Sequence, residues 1–297
     1  MTEPGTPGRH VAAAILVIAV TGLAAAPAQA AFPGSNGAIA FDRSVGESSY
    51  VHLARSDGTG VRRLRCSKRD PGGDCSDREP AWAPNGRRLA IANAQGIAVV
   101  DPTGKLLKQV VTEPPPDPEL PELDSTYGAP AWSPSMRAIA FTDQSGDDTE
   151  VYIARIKDGH TRKLDHGPAE PAWSSRNRIA LSGFGLITIW PDGKKPRGVF
   201  QGEVVNIDWS PGGRQIVFTN SDGMFTIKPN GRGRRKLAIG RRADPNQPVW
   251  APDGRIIAWV DVRGRRRFLR ALNRRTGRVH TMLEDALNPD WQSRPRR

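Results

Sequence analysis

The sequence predicts an all-β fold, a six-bladed β-propeller forming one domain. Three observations predict it: a tryptophan-centred phrase recurring at blade length, Asp-Gly and Asn-Gly turns between short apolar runs, and terminal copies that complete one another. Composition agrees, since 31 Gly and 26 Pro in 297 residues, with 37% hydrophobic residues, describe a turn-rich β protein rather than a helical bundle or a disordered chain.

The first thirty residues obey other rules. Arg9 and His10 precede the apolar run Val11 to Ala26, and Pro27-Ala28-Gln29-Ala30 then supplies a small-residue A-x-A ending before Ala31. This pattern reads as a secretory signal peptide over residues 1–30, with 31–297 as a single domain. The run is shorter than the roughly 18 to 20 apolar residues that span a bilayer, and no later stretch is apolar enough to cross one. No twin arginine precedes the run, and no Cys follows the cleavage point for lipid attachment. The expected location is therefore the periplasm, the cell envelope or the medium.

Export gives meaning to the two cysteines, Cys66 and Cys75, because thiols in an oxidising compartment tend to pair. One disulfide is expected, worth about 2 to 3 kcal/mol in the chain-entropy model. A metal site there would need further Cys or His nearby, and none is present.

The repeat begins with Glu79-Pro-Ala-Trp-Ala-Pro-Asn-Gly-Arg-Arg-Leu-Ala-Ile and returns as Ala129-Pro-Ala-Trp-Ser-Pro-Ser-Met-Arg-Ala-Ile-Ala-Phe. It recurs from Glu170, from Asn206 and from Gln247. The anchors Trp82, Trp132, Trp173, Trp209, Trp250 and Trp291 are spaced by 50, 41, 36, 41 and 41 residues, one four-stranded blade each. Each unit runs from a strand ending at Trp, through a Pro-x-Gly type turn, into an apolar second strand. Two more strands follow, joined by turns such as Ser56-Asp57-Gly58 or Pro191-Asp192-Gly193, where Gly supplies positive φ. The tryptophans read as wedges between blades.

The sixth copy, Asn288-Pro-Asp-Trp-Gln, ends six residues after Trp291, without its remaining strands. Those strands are expected at the other terminus, where Phe32-Pro-Gly-Ser-Asn-Gly-Ala-Ile-Ala-Phe41 supplies the turn and second strand. The last blade is thus closed by N-terminal strands over about 36–64 and a C-terminal strand over about 288–292, which leaves no open seam.

This phrasing resembles the TolB-like, WD40-like propeller repeat family, whose unit reads approximately Pro-x-Trp-Ser-Pro-Asp-Gly-x-x-Ile-Ala-Phe, across essentially all of residues 32–292. The family includes the periplasmic Tol component, which binds lipoprotein and outer-membrane proteins, and propellers attached to serine peptidases. Neither the domain that precedes the Tol propeller nor a hydrolase domain is expected in this chain. The resemblance implies a propeller and, loosely, protein recognition.

Familiar catalytic signatures are missing: no Gly-x-Ser-x-Gly elbow, no phosphate loop, no His-Glu-x-x-His. No catalytic residue is assigned. His10, His52, His160, His166 and His280 are scattered, and no metal is assigned to them. Around a propeller axis, however, acids from different blades converge without any linear signature. Three positions before each tryptophan stand Glu79, Ala129, Glu170, Asn206, Gln247 and Asn288, five polar residues expected to form an axial ring. Asp208 and Asp290, directly before their tryptophans, add charge nearby. The candidate binding residues are therefore Glu79, Glu170, Asn206, Asp208, Gln247 and Asn288, for a small ligand, cation or peptide terminus. A channel ion is compatible with such a ring, though no cofactor is required.

Two long loops are expected on one face, Cys66 to Arg78 and the acidic, proline-stiffened Glu113 to Asp124. Against them stands a net charge of +12, with eight arginines between Arg263 and Arg278 and a second cluster at Arg232, Arg234, Arg235 and Lys236. In an exported protein such charge fits an acidic partner protein or an anionic envelope polymer, and nucleic acid is not expected. The expected function is a non-catalytic binding or scaffold propeller of the cell envelope or extracellular space. The alternative is a glycan- or lactone-directed enzyme using axial carboxylates. A closed ring protects its own strand edges, so a monomer is expected.

Overall fold

The computed structural model describes residues 29–46, 48–67, 75–112, 127–144, 149–164, 170–240 and 242–295. They form six antiparallel sheets of four strands, the blades of a propeller, one of which carries an additional short strand. Blade 1 runs outward from the axis as Arg78–Trp82, Leu89–Asn93, Gly96–Val100 and Leu106–Thr112. Blades 2 to 5 repeat this order from innermost strands Tyr127–Trp132, Glu170–Trp173, Asn206–Trp209 and Pro245–Trp250.

Blade 6 is built from both termini. The C-terminal strand Leu287–Arg294 lies innermost, followed by Ser35–Val45, Ser48–Ala54 and Arg62–Arg63. Trp291 stands opposite Ile39 in this register, so the expected closure is the one the chain adopts. The seam with blade 1 is tight. A Cβ on Gly86, whose φ is 65°, would lie 2.1 Å from the Ser293 carbonyl oxygen, and the Gln292 side-chain amide donates to the Gly86 carbonyl at 2.6 Å.

Burial follows the sequence pattern. Leu89–Asn93 is buried at every position because each face of a blade is covered by its neighbour, whereas Arg62–Arg63 and Arg235–Lys236 edge the rim and are exposed. The apolar clusters lie between blades: Ala90 and Ile97 of blade 1 pack with Trp132, Ile139 and Phe141 of blade 2. Trp132 donates its indole N–H to the Ala81 carbonyl one blade back at 3.0 Å, and Trp209 does the same to Ala172. These two tryptophans are wedges whose polar edge is fixed by the neighbouring blade.

A disulfide joins Cys66 and Cys75, with Cα atoms 5.9 Å apart. Ser67 donates its backbone N–H and hydroxyl to Asp77 at 2.7 and 2.6 Å, and Ser49 donates its N–H to the Cys75 carbonyl at 2.8 Å, tying this segment to blade 6. The rest of the cysteine loop, the expected Glu113 to Asp124 loop and the leader before Gln29 lie outside the described residues. Among the described residues no helix is long and apolar enough to cross a membrane.

One element was not expected. The short strand Gln29–Ala30 pairs in parallel with the innermost strand of blade 4, Gln29 opposite Asp208 and Ala30 opposite Trp209. It therefore runs on the axis itself, and touches the innermost strands of blades 2, 3 and 5.

Candidate functional site

The ring positions lie within the first three residues of the innermost strands, and four ring residues have left-handed backbone: Glu79 (φ 56°), Ala129 (47°), Gln247 (53°) and Asn288 (49°). Such φ values are costly for residues with a Cβ and call for a compensating bond. Each is compensated in the same way. The bend turns the amide N–H toward a side-chain oxygen of the preceding blade: Glu79 to Asp42 (3.2 Å), Ala129 to Glu79 (2.5 Å), Gln247 to Asn206 (3.1 Å) and Asn288 to Gln247 (2.7 Å). Side-chain amides strengthen the chain, Gln247 donating to Asn288 (2.8 Å) and Asn288 to Asp42 (3.0 Å). Gly128 makes room, since a Cβ there would stand 2.7 Å from the Glu79 carboxylate.

This relay runs from blade 4 through blades 5, 6 and 1 to blade 2 and then stops. Ala129 has no side chain to accept the amide of Glu170, and neither Glu170 nor Asn206 adopts the left-handed bend. Glu170 is consequently buried with both carboxylate oxygens lacking a hydrogen-bond partner among the described residues. Burial pushes its carboxyl well above the ordinary range, and Glu79 pushes it further.

A second tier lies one pleat further along. Asp208 accepts the Trp250 N–H at 2.5 Å, and Asp290 accepts those of Trp82 at 2.5 Å and Trp291 at 2.7 Å. Burial raises the carboxyl of Asp208 well above normal, and pushes those of Asp42 and Asp290 up to about 7. Burial also raises Glu79, opposed by the Arg78 charge and the Ala129 N–H. The channel thus concentrates five buried acids, Asp42, Glu79, Glu170, Asp208 and Asp290, none of which makes an ion pair among the described residues.

The structure thus brings Glu79, Asn206, Gln247 and Asn288 into one hydrogen-bonded ring, leaves Glu170 in it unpaired, and places Asp208 in the tier beyond. Asp42 escaped the sequence reading. It closes the Ile39-Ala-Phe-Asp42 phrase, at a position filled in other blades by Thr142, Ser182 and Thr219, and that polar periodicity was the available signal. The acids do not gather into a compact metal cage. Among the described residues the one trio of suitable ligand atoms within 4.8 Å is Cys66, Cys75 and Asp77, and its sulfurs are already bonded to each other.

At the ring end, Glu170 stands opposite Ser182, and the hairpin beyond Ser182 carries Phe184, which is 90% exposed. Val45, at the corresponding hairpin of blade 6, is also exposed. A groove of about 390 Å³ between blades 1 and 2, lined by Val110, Tyr127, Phe141, Asp143 and Tyr152, adjoins both ends of the segment 113–126. The basic clusters are partly self-neutralised. Arg263 and Arg270 pair with buried Asp261 at 2.9 and 3.2 Å, Arg266 pairs with Glu284, and Arg234 and Arg274 lie over aromatic rings.

No protein-family model and no curated protein sequence matches the chain. Solved structures do. TolB from Acinetobacter baumannii superposes with a TM-score of 0.69 at 15% identity, covering 88% of this chain and 68% of that one. The fold is that of a TolB-like propeller. A putative TolB from Agrobacterium tumefaciens gives 0.62 at 15% identity, with 85% of this chain and 91% of that one covered. An oligogalacturonate lyase in complex with manganese gives 0.56 at 12% identity, covering 85% and 77%. A TolB-like propeller therefore shares its frame with both a Tol protein and an enzyme, and the channel chemistry has to be read from its own residues.

Proposed function

We propose that this TolB-like propeller is a non-catalytic recognition module of the cell envelope or extracellular space, which captures a protein through its ring-bearing face. A cationic side chain of that partner is seated against Glu170. The observation that carries this reading is the ring's single interruption: a buried carboxyl with no partner, beside a hairpin that exposes Phe184. A buried acid lacking a partner is stabilised by a cation, and an exposed aromatic is a common anchor at protein interfaces. The disulfide and the A-x-A leader support an exported protein whose working domain is 31–297.

Two other readings have less support. An anionic polymer would be repelled by the channel, and the arginine clusters are partly engaged by Asp261, Glu284 and aromatic faces. Carboxylate-pair catalysis needs acids free to meet substrate, whereas Glu79 and Asp208 already hold backbone amides of neighbouring blades.

Calorimetric titration with a short Lys/Arg-containing peptide and with its neutral analogue tests the proposal. Glu170→Gln should weaken binding of the basic peptide by about tenfold, and binding of the analogue should be weak throughout. Equal affinity of the variant and the wild type overturns it. Cleavage of a polygalacturonate probe would favour the enzyme instead.

A further inference from the structure

The short axial strand Gln29–Ala30 ends where the A-x-A pattern of the leader ends, and the next residue meets the acidic channel. The Ala31 N–H lies 3.2 Å from Asp208 Oδ1 and 3.3 Å from the Trp209 carbonyl oxygen. Asp208 is fully buried, Ala31 is 1% exposed, and no cationic side chain pairs with this carboxylate among the described residues.

We propose that cleavage between Ala30 and Ala31 by a signal peptidase, before the propeller closes around that bond, leaves the axial channel open and turns the Ala31 nitrogen into the buried counter-charge of Asp208. Hydrolysis of that amide consumes one water, leaves a carboxylate on Ala30, and converts the neutral Ala31 N–H into an α-ammonium. The departing segment carries away Gln29 and Ala30, which occupy the axis beside blades 2 to 5. The new terminus stays in place because the residues that remain hold it. Ala31 packs among Val217, Met224 and Trp250, and Phe32 among Ala81 and Trp132. Ser293 donates its hydroxyl to the Pro33 carbonyl at 2.9 Å, and the Gly34 N–H donates to the Pro252 carbonyl at 3.2 Å.

The charge balance favours the exchange. A neutral amide leaves Asp208 beside Asp290 with no positive charge to offset it, whereas an α-ammonium supplies one at hydrogen-bond distance and keeps the Trp209 carbonyl as a second partner. Maturation then decides whether the channel is open. A chain that keeps its leader presents a filled axis, and the processed chain presents a well with Ala31 at its floor.

The test compares three forms of the protein released from cleavable fusions: a chain starting at Ala31, the same chain acetylated at Ala31, and a chain starting at Gln29. The free Ala31 chain should melt at least about 4 °C above the acetylated one at pH 7, and Asp208→Asn should reduce that difference to near zero. Intact-mass analysis of the exported protein should place its first residue at Ala31. Equal melting of the free and acetylated chains, or a mature terminus at another residue, overturns the proposal. Should Asp208→Asn fail to fold, the free-versus-acetylated comparison decides alone. The reading of Glu170 as a cation seat is scored by peptide binding, so either idea can fail without the other.

Discussion

Two arcs of the same ring behave differently. From Asn206 through Gln247, Asn288 and Asp42 to Glu79 and Ala129, most side-chain oxygens are consumed by the amide of the next blade, and the strained left-handed residues are those whose N–H is captured. At Glu170 and Asn206 the backbone is relaxed and a carboxyl is left over. One arc spends its polar groups on joining blades. The other keeps one in reserve, and that asymmetry is what the proposed binding role of Glu170 rests on.

The sharpest way to break this contrast is to remove an acceptor from the second tier. Asp290→Ala strips the Trp82 and Trp291 amides of their partner at the seam between blades 6 and 1, and should cost about 3 kcal/mol in urea unfolding. Loss of the disulfide in Cys66→Ser with Cys75→Ser should cost somewhat less, about 2 to 3 kcal/mol, without altering peptide binding at Glu170.

The next test uses pH. Asp42 and Asp290 titrate near 7 in the folded protein against about 4 in the unfolded chain, so the native state holds more protons between those values. Stability should therefore fall as pH rises from about 4 to about 7, and Asp42→Asn should flatten part of that slope in thermal melts across the range. The smallest expected effect completes the comparison. Glu170→Gln removes no hydrogen bond and should change stability by less than about 1 kcal/mol, in either direction. A loss as large as that of Asp290→Ala would mean that the two arcs are equivalent after all.

Much of this was legible in the chain. The 36-to-50-residue spacing of Trp82 to Trp291 encodes a blade because each unit is a local strand-turn-strand phrase that cannot bury its own faces. The incomplete copy at Asn288 called for strands from the N-terminus, and Trp291 indeed stands opposite Ile39. The polar character of Glu79, Glu170, Asn206, Gln247 and Asn288 marked the axis. What the tryptophan-centred phrase did not reveal was Asp42, which reaches the ring from a second strand rather than a first.

The sequence by itself determined the number of blades, their closure and the polar positions that the innermost strands bring to the axis, since these follow from repeat length, turn chemistry and apolar pattern. Only the tertiary structure decided which of those polar groups are spent and which is spare. That outcome depends on where each amide points once residues some forty positions apart are brought edge to edge, and on an N-terminal strand, Gln29–Ala30, whose place on the axis no local pattern encodes.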